Sequence, residues 1–224
     1  MIPLRDSQPS NHTPFMTILL IVTNVFLFFY EISLDQYSLN HLIAHYGIVP
    51  LRFQPADLLT SMFLHGGWMH IIGNMWFLWL YVDNVEDILG SFQFLIFYLL
   101  CGIGAGLVHF LLNADSRIPT IGASGAIAGV MGAYLIKFPH ARIVTLLPIF
   151  IFFTLIEIPA WLILIYWFVL QIFSGASSIA YSNVSAEGGG VAWFAHVGGF
   201  VAGVILITVM RTRDPFRYRA DLRW

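Results

Sequence analysis

The chain has 224 residues, of which 58% are hydrophobic and 10% charged, with a formal net charge of −2 and a mean hydropathy of +0.80. Soluble domains carry about a quarter charged residues, so an ordinary water-soluble globule is excluded, and so small a net charge gives no basis for a nucleic-acid partner. Cys101 is the single cysteine, which excludes an internal disulfide.

Runs of about 17–25 apolar residues are membrane-helix candidates. In chain order, a polar segment at 1–14 leads into a first span at 15–30. Residues 39–64 then mix apolar side chains with His41, His45, Arg52, Gln54 and Asp57, which suits a connection half-buried at the membrane interface. Further spans are expected at 68–82, 92–112 and 118–136. Residues 143–173 form one long apolar stretch, about 46 Å if helical, too long for one span and short for two. Pro148 and Pro159 interrupt it, and proline ends helices. We therefore expect a helix over 159–173, with 143–158 lying in the interface or as a shallow re-entrant segment that keeps Glu157 near water. Residues 174–192, with many serines and three glycines at 188–190, read as a flexible cap. A last span at 191–210 precedes a basic tail at 211–224. The expected fold is an all-α integral membrane protein whose six-helix domain covers 15–210, with a cytoplasmic tail at either end.

Loop charges support six spans rather than seven. With six, one side of the membrane holds Arg5, Lys137, Arg142, Arg211, Arg213, Arg217, Arg219 and Arg223, and the other only Arg52 and Arg117. Basic residues mark the cytoplasmic side, so both termini are placed there.

Polar and ionisable side chains inside a membrane are costly, and each is a functional hypothesis. Under six spans the second, fourth and sixth helices run in the same direction and carry such residues in their first turns. These are His70 and Asn74, Ser124, and His196. All four fall at one depth, in the outer half of the bilayer. His70 and Asn74 are four apart and share a helix face. Ser124, Ala128 and Gly132, flanked by Gly125 and Gly129, make a small-residue stripe, as do His196, Gly199 and Gly203. Such stripes let membrane helices approach closely, which a short serine hydroxyl needs to reach a histidine.

These residues carry a family resemblance. Gly122-Ala123-Ser124-Gly125, His70-x-x-x-Asn74 and Ala195-His196-x-Gly198-Gly199-x-x-x-Gly203 resemble the signature set of rhomboid intramembrane serine proteases, in the same order on the same helices. His65-Gly66-Gly67-Trp68, Asn84-Val85-Glu86-Asp87 and Pro159-Ala160-Trp161 are similar too, the last to bacterial members. Two departures stand out. Leu51-Arg52 replaces the Trp-Arg of many relatives, and Ala128 stands where some bacterial members place an aromatic ring against the histidine.

The resemblance implies an intramembrane serine endopeptidase of bacterial type. It would cut peptide bonds in or near the transmembrane segments of membrane proteins, with Ser124 as nucleophile and His196 as base. Asn74 and His70 are the implied oxyanion donors, together with the Ser124 backbone N–H. No cofactor or metal is expected; the partners are transmembrane protein substrates and the lipid bilayer. The place implied is a bacterial inner (plasma) membrane with the active site opening toward the outer face. No Asp or Glu lies in the apolar helix cores, so the carboxylate of a triad is missing. A His-Glu-x-x-His zinc motif is absent, and none of the aspartates is mid-helix. The alternative is a catalytically silent rhomboid-like protein that binds transmembrane segments.

Overall fold

A segment in hydrocarbon must satisfy its own backbone polar groups, which a helix does within itself. In the structure, a computed structural model describing residues 2–10, 12–149, 152–181 and 192–213, the apolar runs are helices. They are α1 (Phe15–Ser33), two helices of the first connection, α2 (Gln36–Tyr46) and α3 (Asp57–Thr60), and then α4 (Trp68–Leu89), α5 (Ser91–Leu112), α6 (Ser124–Lys137), α7 (Ala160–Tyr181) and α8 (Trp193–Val209). The molecule is mostly helical. α1, α5 and the Ala160–Ser177 part of α7 are long and apolar enough to cross a membrane, while α6 and α8 are shorter apolar helices. Large side chains such as Phe26, Phe92, Leu111 and Val209 are exposed, a surface suited to lipid rather than water.

The first connection is more ordered than a half-buried loop. Leu58 and Met62 are buried in it, and they fill the notches left on α5 by Gly106 and Gly102.

The expected fourth span, 118–136, loses its first six residues. Pro119 cannot continue a helix backwards, and Gly122 takes a φ of +119°, a conformation open to glycine. Thr120 instead bridges to Ile48, and the Gly122 N–H donates to the Ser61 carbonyl at 2.8 Å. The helix therefore starts at Ser124, and its 14 residues span only about 21 Å.

The described part of 143–158, expected in the interface or as a shallow re-entrant segment, is strand. β2 (Arg142–Ile149) and β3 (Phe152–Pro159) pair antiparallel from Arg142↔Pro159 to Ile149↔Phe152, and β1 (Ile2–Asp6) adds to the other edge of β2. Ile143 and Thr145 are wholly buried, the alternation of a half-buried strand. A short apolar run broken by proline supports a strand as readily as a helix, which hydropathy cannot separate. Part of the expected N-terminal tail, 1–14, is thus sheet. It is also fastened to the helices: Trp76 Nε1–H donates to the Pro3 carbonyl at 2.7 Å, and Asn84 and Tyr134 both donate to Asp6 Oδ2.

α7 runs past the expected end at 173 and takes in the first part of the expected cap; residues 182–191, with the glycine run, lie outside the described residues, as do 214–224 of the basic tail. Pro14 offers α1 no side-chain cap. Glu86 of α4 serves instead, accepting from the Met16 and Thr17 N–H groups at 2.9 Å and from Thr17 Oγ at 2.7 Å.

α6 lies at the centre, where Val130, Ala133 and Tyr134 have no exposed surface. It meets α8 backbone to backbone. A Cβ on Gly199 would fall 1.9 Å from the Gly125 carbonyl oxygen, and one on Gly203 1.9 Å from that of Gly129. The α6 side of this contact is Gly132 of the expected stripe together with its flanking Gly125 and Gly129, which leaves Ser124 at its edge facing a cavity.

Candidate functional site

The close α6–α8 crossing brings together two side chains from distant parts of the chain. Ser124 Oγ lies 2.7 Å from His196 Nε2. A hydroxyl whose proton has a ring nitrogen to accept it is the arrangement that makes an alcohol nucleophilic. Ser124 is the first residue of α6, where backbone N–H groups have no intrahelical acceptor and the helix dipole is positive.

His196 is buried on all but one face. Trp167 of α7 packs with ring centroids 5.7 Å away, and Trp193 meets it edge-on at 6.4 Å. The ring support absent at Ala128 thus comes from two tryptophans. Its other nitrogen, Nδ1, lies 2.7 Å from Gln171 Oε1. Sequence reasoning missed Gln171. The signal was there, a lone amide in the apolar run of 160–173, but nothing in the spacing connects it to a histidine on another helix.

His70 and Asn74 converge on the stretch before the serine. A Cβ on Gly122 would sit 2.6 Å from His70 Nε2 and 3.5 Å from Asn74 Nδ2. The Gly66 N–H donates to His70 Nδ1 at 3.3 Å, so that nitrogen bears the lone pair and Nε2 carries the proton. Asn74 is buried, and its Nδ2 has no hydrogen-bond partner among the described residues. A buried donor left unpaired calls for an explanation, and here it borders a cavity of about 680 Å³ shared with Ser124, His196 and His70. Met69, Phe77, Ile127, Met131 and Trp167 line its apolar part.

The two remaining histidines near the site hold its frame. His109 Nε2 bonds Thr120 Oγ at 2.8 Å, tying α5 to the strand-like approach to Ser124. His65 donates its backbone N–H to the buried Glu31 carboxylate, at 3.1 Å to the nearer oxygen, and its ring lies 5.2 Å from that of His70. Burial, with His70 beside it, pushes His65 down to about 4, so this ring stays neutral at ordinary pH.

Comparison with known proteins gives the family. The profile described as Rhomboid domain matches residues 52–213, well over half the chain. Among curated relatives, the mitochondrial presenilin-associated rhomboid-like proteins of Mus musculus and Homo sapiens are 37% identical over 100 residues, which is 43% of this chain and 26% of theirs. The chloroplastic Rhomboid-like protein 11 of Arabidopsis thaliana is 28% identical over 189 residues, 80% of this chain and 62% of that protein. The chain thus spans about a quarter of the length of the mammalian relatives. These relatives are eukaryotic and their names place them in organelles, so neither the expected bacterial type nor a bacterial inner membrane finds support. With the helices long enough to span a bilayer, the match identifies an integral membrane protein, and the chain belongs to the rhomboid family.

Proposed function

We propose that the protein is an intramembrane serine endopeptidase acting through Ser124 and His196 on transmembrane segments of other membrane proteins. The observation that carries this reading is the 2.7 Å contact between Ser124 Oγ and His196 Nε2, set on a cavity whose other wall offers the Asn74 amide, unpaired among the described residues.

Ser124 Oγ attacks the carbonyl carbon of the scissile bond while His196 Nε2 takes its proton. The carbonyl oxygen becomes an oxyanion, stabilised by the Asn74 amide, the His70 Nε2–H and the Ser124 backbone N–H, all preorganised in a site of low dielectric. Collapse breaks the C–N bond, and His196 returns the proton to the leaving amine, which leaves an acyl ester on Ser124. Water, deprotonated by His196, attacks the ester and frees the acid and the serine. A helix hides its carbonyls in its own hydrogen bonds, so the substrate must unwind locally to present one. The apolar walls at Met69, Phe77 and Met131 suit a hydrophobic side chain of that strand.

In the bilayer, α1, α4, α5, α6, α7 and α8 serve as six spans with both termini on the basic side. The sheet then lies on that side, and Ser124 opens toward the other. The short α6 suits this arrangement, since the non-helical approach at 118–123 gives water a polar route down to the serine.

A fluorophosphonate probe and a reporter transmembrane substrate test the reading. We expect labelling and cleavage by the native protein and neither by Ser124→Ala, with His196→Ala losing cleavage. Equal labelling of native protein and Ser124→Ala, or a substrate held but never cut by the native protein, would leave the silent, segment-binding alternative.

A further inference from the structure

Gln171 is 5% exposed, in a helix whose neighbouring residues over 160–173 are apolar apart from Tyr166. A buried amide is costly unless its oxygen and nitrogen are both bonded. Both have partners. Gln171 Nε2 donates to the Trp167 carbonyl one turn earlier, at 3.4 Å. A carbonyl can only accept, so the amide nitrogen faces it and Oε1 is the atom that faces His196 Nδ1. An amide oxygen can only accept in turn, so Nδ1 carries the proton and Nε2 presents its lone pair to Ser124.

We propose that Gln171 is the positioning residue of this site, holding His196 in the tautomer and rotamer that take the serine proton. This rests on the Ser124–His196 reading above and extends it to a relay of hydroxyl, imidazole and neutral amide. A carboxylate at this point would fix the tautomer and also stabilise the imidazolium formed during attack. An amide fixes the tautomer but adds no negative charge. Among the described residues, the titratable groups that bear on His196 are the rings of His70 on α4 and His109 on α5; α6 brings Ser124 to it, and α7 brings Gln171 and Trp167. Among the described residues no carboxylate faces His196 to compensate the imidazolium.

Two variants of the full chain in proteoliposomes test this, with kcat, KM and the pH profile read on the reporter substrate. Gln171→Met keeps the length of the side chain and removes the acceptor. Gln171→Glu restores an acceptor and brings a charge. For Gln171→Met we expect kcat to fall about tenfold or more, the worth of one hydrogen bond, at unchanged KM. For Gln171→Glu we expect kcat recovered relative to Met, with the acid limb displaced to higher pH. Native kcat and an unmoved limb in Gln171→Met would overturn the proposal. So would a loss in both variants with no displacement of the limb by Glu, which would make Gln171 a packing residue. Ser124→Ala run alongside separates the two readings: if it cleaves, the serine–histidine reading fails, whereas if it is inert and Gln171→Met is fully active, only the role of Gln171 fails.

Discussion

Gly122 shows how narrowly the site is specified at single residues. Its φ of +119° strains any side chain, and a Cβ there would press on the His70 ring at 2.6 Å. For Gly122→Ala we expect a drop in cleavage of about 10²-fold, the usual cost of losing an oxyanion donor, with melting temperature lowered only slightly. Cleavage within a few fold of native would show that His70 does not act from this position. Asn74 belongs to the same set. Its Nδ2, unpaired among the described residues, is a cost to the folded state, so Asn74→Leu is expected to abolish most cleavage while leaving thermal stability unchanged or raised. A marked fall in stability would mean that the amide serves the fold instead.

Among elements, the α6–α8 crossing governs the distance between Ser124 and His196. With a Cβ only 1.9 Å from the Gly129 carbonyl oxygen, Gly203→Ala has to push α8 away by more than 1 Å, since contacts below about 3 Å are repulsive. The serine–histidine hydrogen bond has no slack to follow. We expect at least tenfold slower fluorophosphonate labelling of this variant, whereas Gly104→Ala, whose Cβ would meet the Ala202 Cβ at 3.0 Å, should slow it less. Similar rates in the two would break the link between helix approach and reactivity. α1 depends on a different device. Glu86 caps it from another helix, so Glu86→Ala strands the three donors of α1 and the Ser91 hydroxyl and is expected to cost about 3 kcal/mol, read as a lower unfolding midpoint in detergent.

At the scale of the molecule, the sheet joins the chain's first residues to the connection between α6 and α7. Burial raises the Asp6 carboxyl from 3.8 to about 7, against the opposing pull of the Tyr134 hydroxyl. A carboxyl with a raised pKa binds its proton more tightly folded than unfolded. Stability therefore falls as pH climbs from about 4 to about 7 and levels off above that. Asp6→Asn should flatten the fall; identical pH dependences of unfolding in the two proteins would mean that Asp6 does not titrate there. The proposed six-span arrangement is testable with Cys101, which is buried, as a silent background. Cysteines at Ser10 and Asp115 should react with an impermeant maleimide from opposite faces of a vesicle. Reaction from one face would remove the six-span topology.

Hydropathy, proline positions and three short motifs were enough to read a helical membrane protein of the rhomboid family, and to single out Ser124, His196, His70 and Asn74. Those properties are local: a membrane run, a glycine at a tight spot and a polar residue in hydrocarbon each declare themselves in a few residues. The strand character of 142–159 was not legible, because an apolar run interrupted by prolines is compatible with helix or strand until a partner is known. β2 and β3 are each other's partner, and β1 closes the other edge of β2 from more than 130 residues away in the chain. Gln171 was hidden for the same reason. An amide becomes an orienting group only when another helix sets a histidine 2.7 Å away, and that distance is decided by the glycine crossing of α6 and α8 and the packing of α7 against it. Composition, spacing and motif thus singled out the candidate residues; the tertiary structure alone decided which of their atoms meet, because hydrogen bonds depend on tenths of an ångström between segments that are distant in sequence.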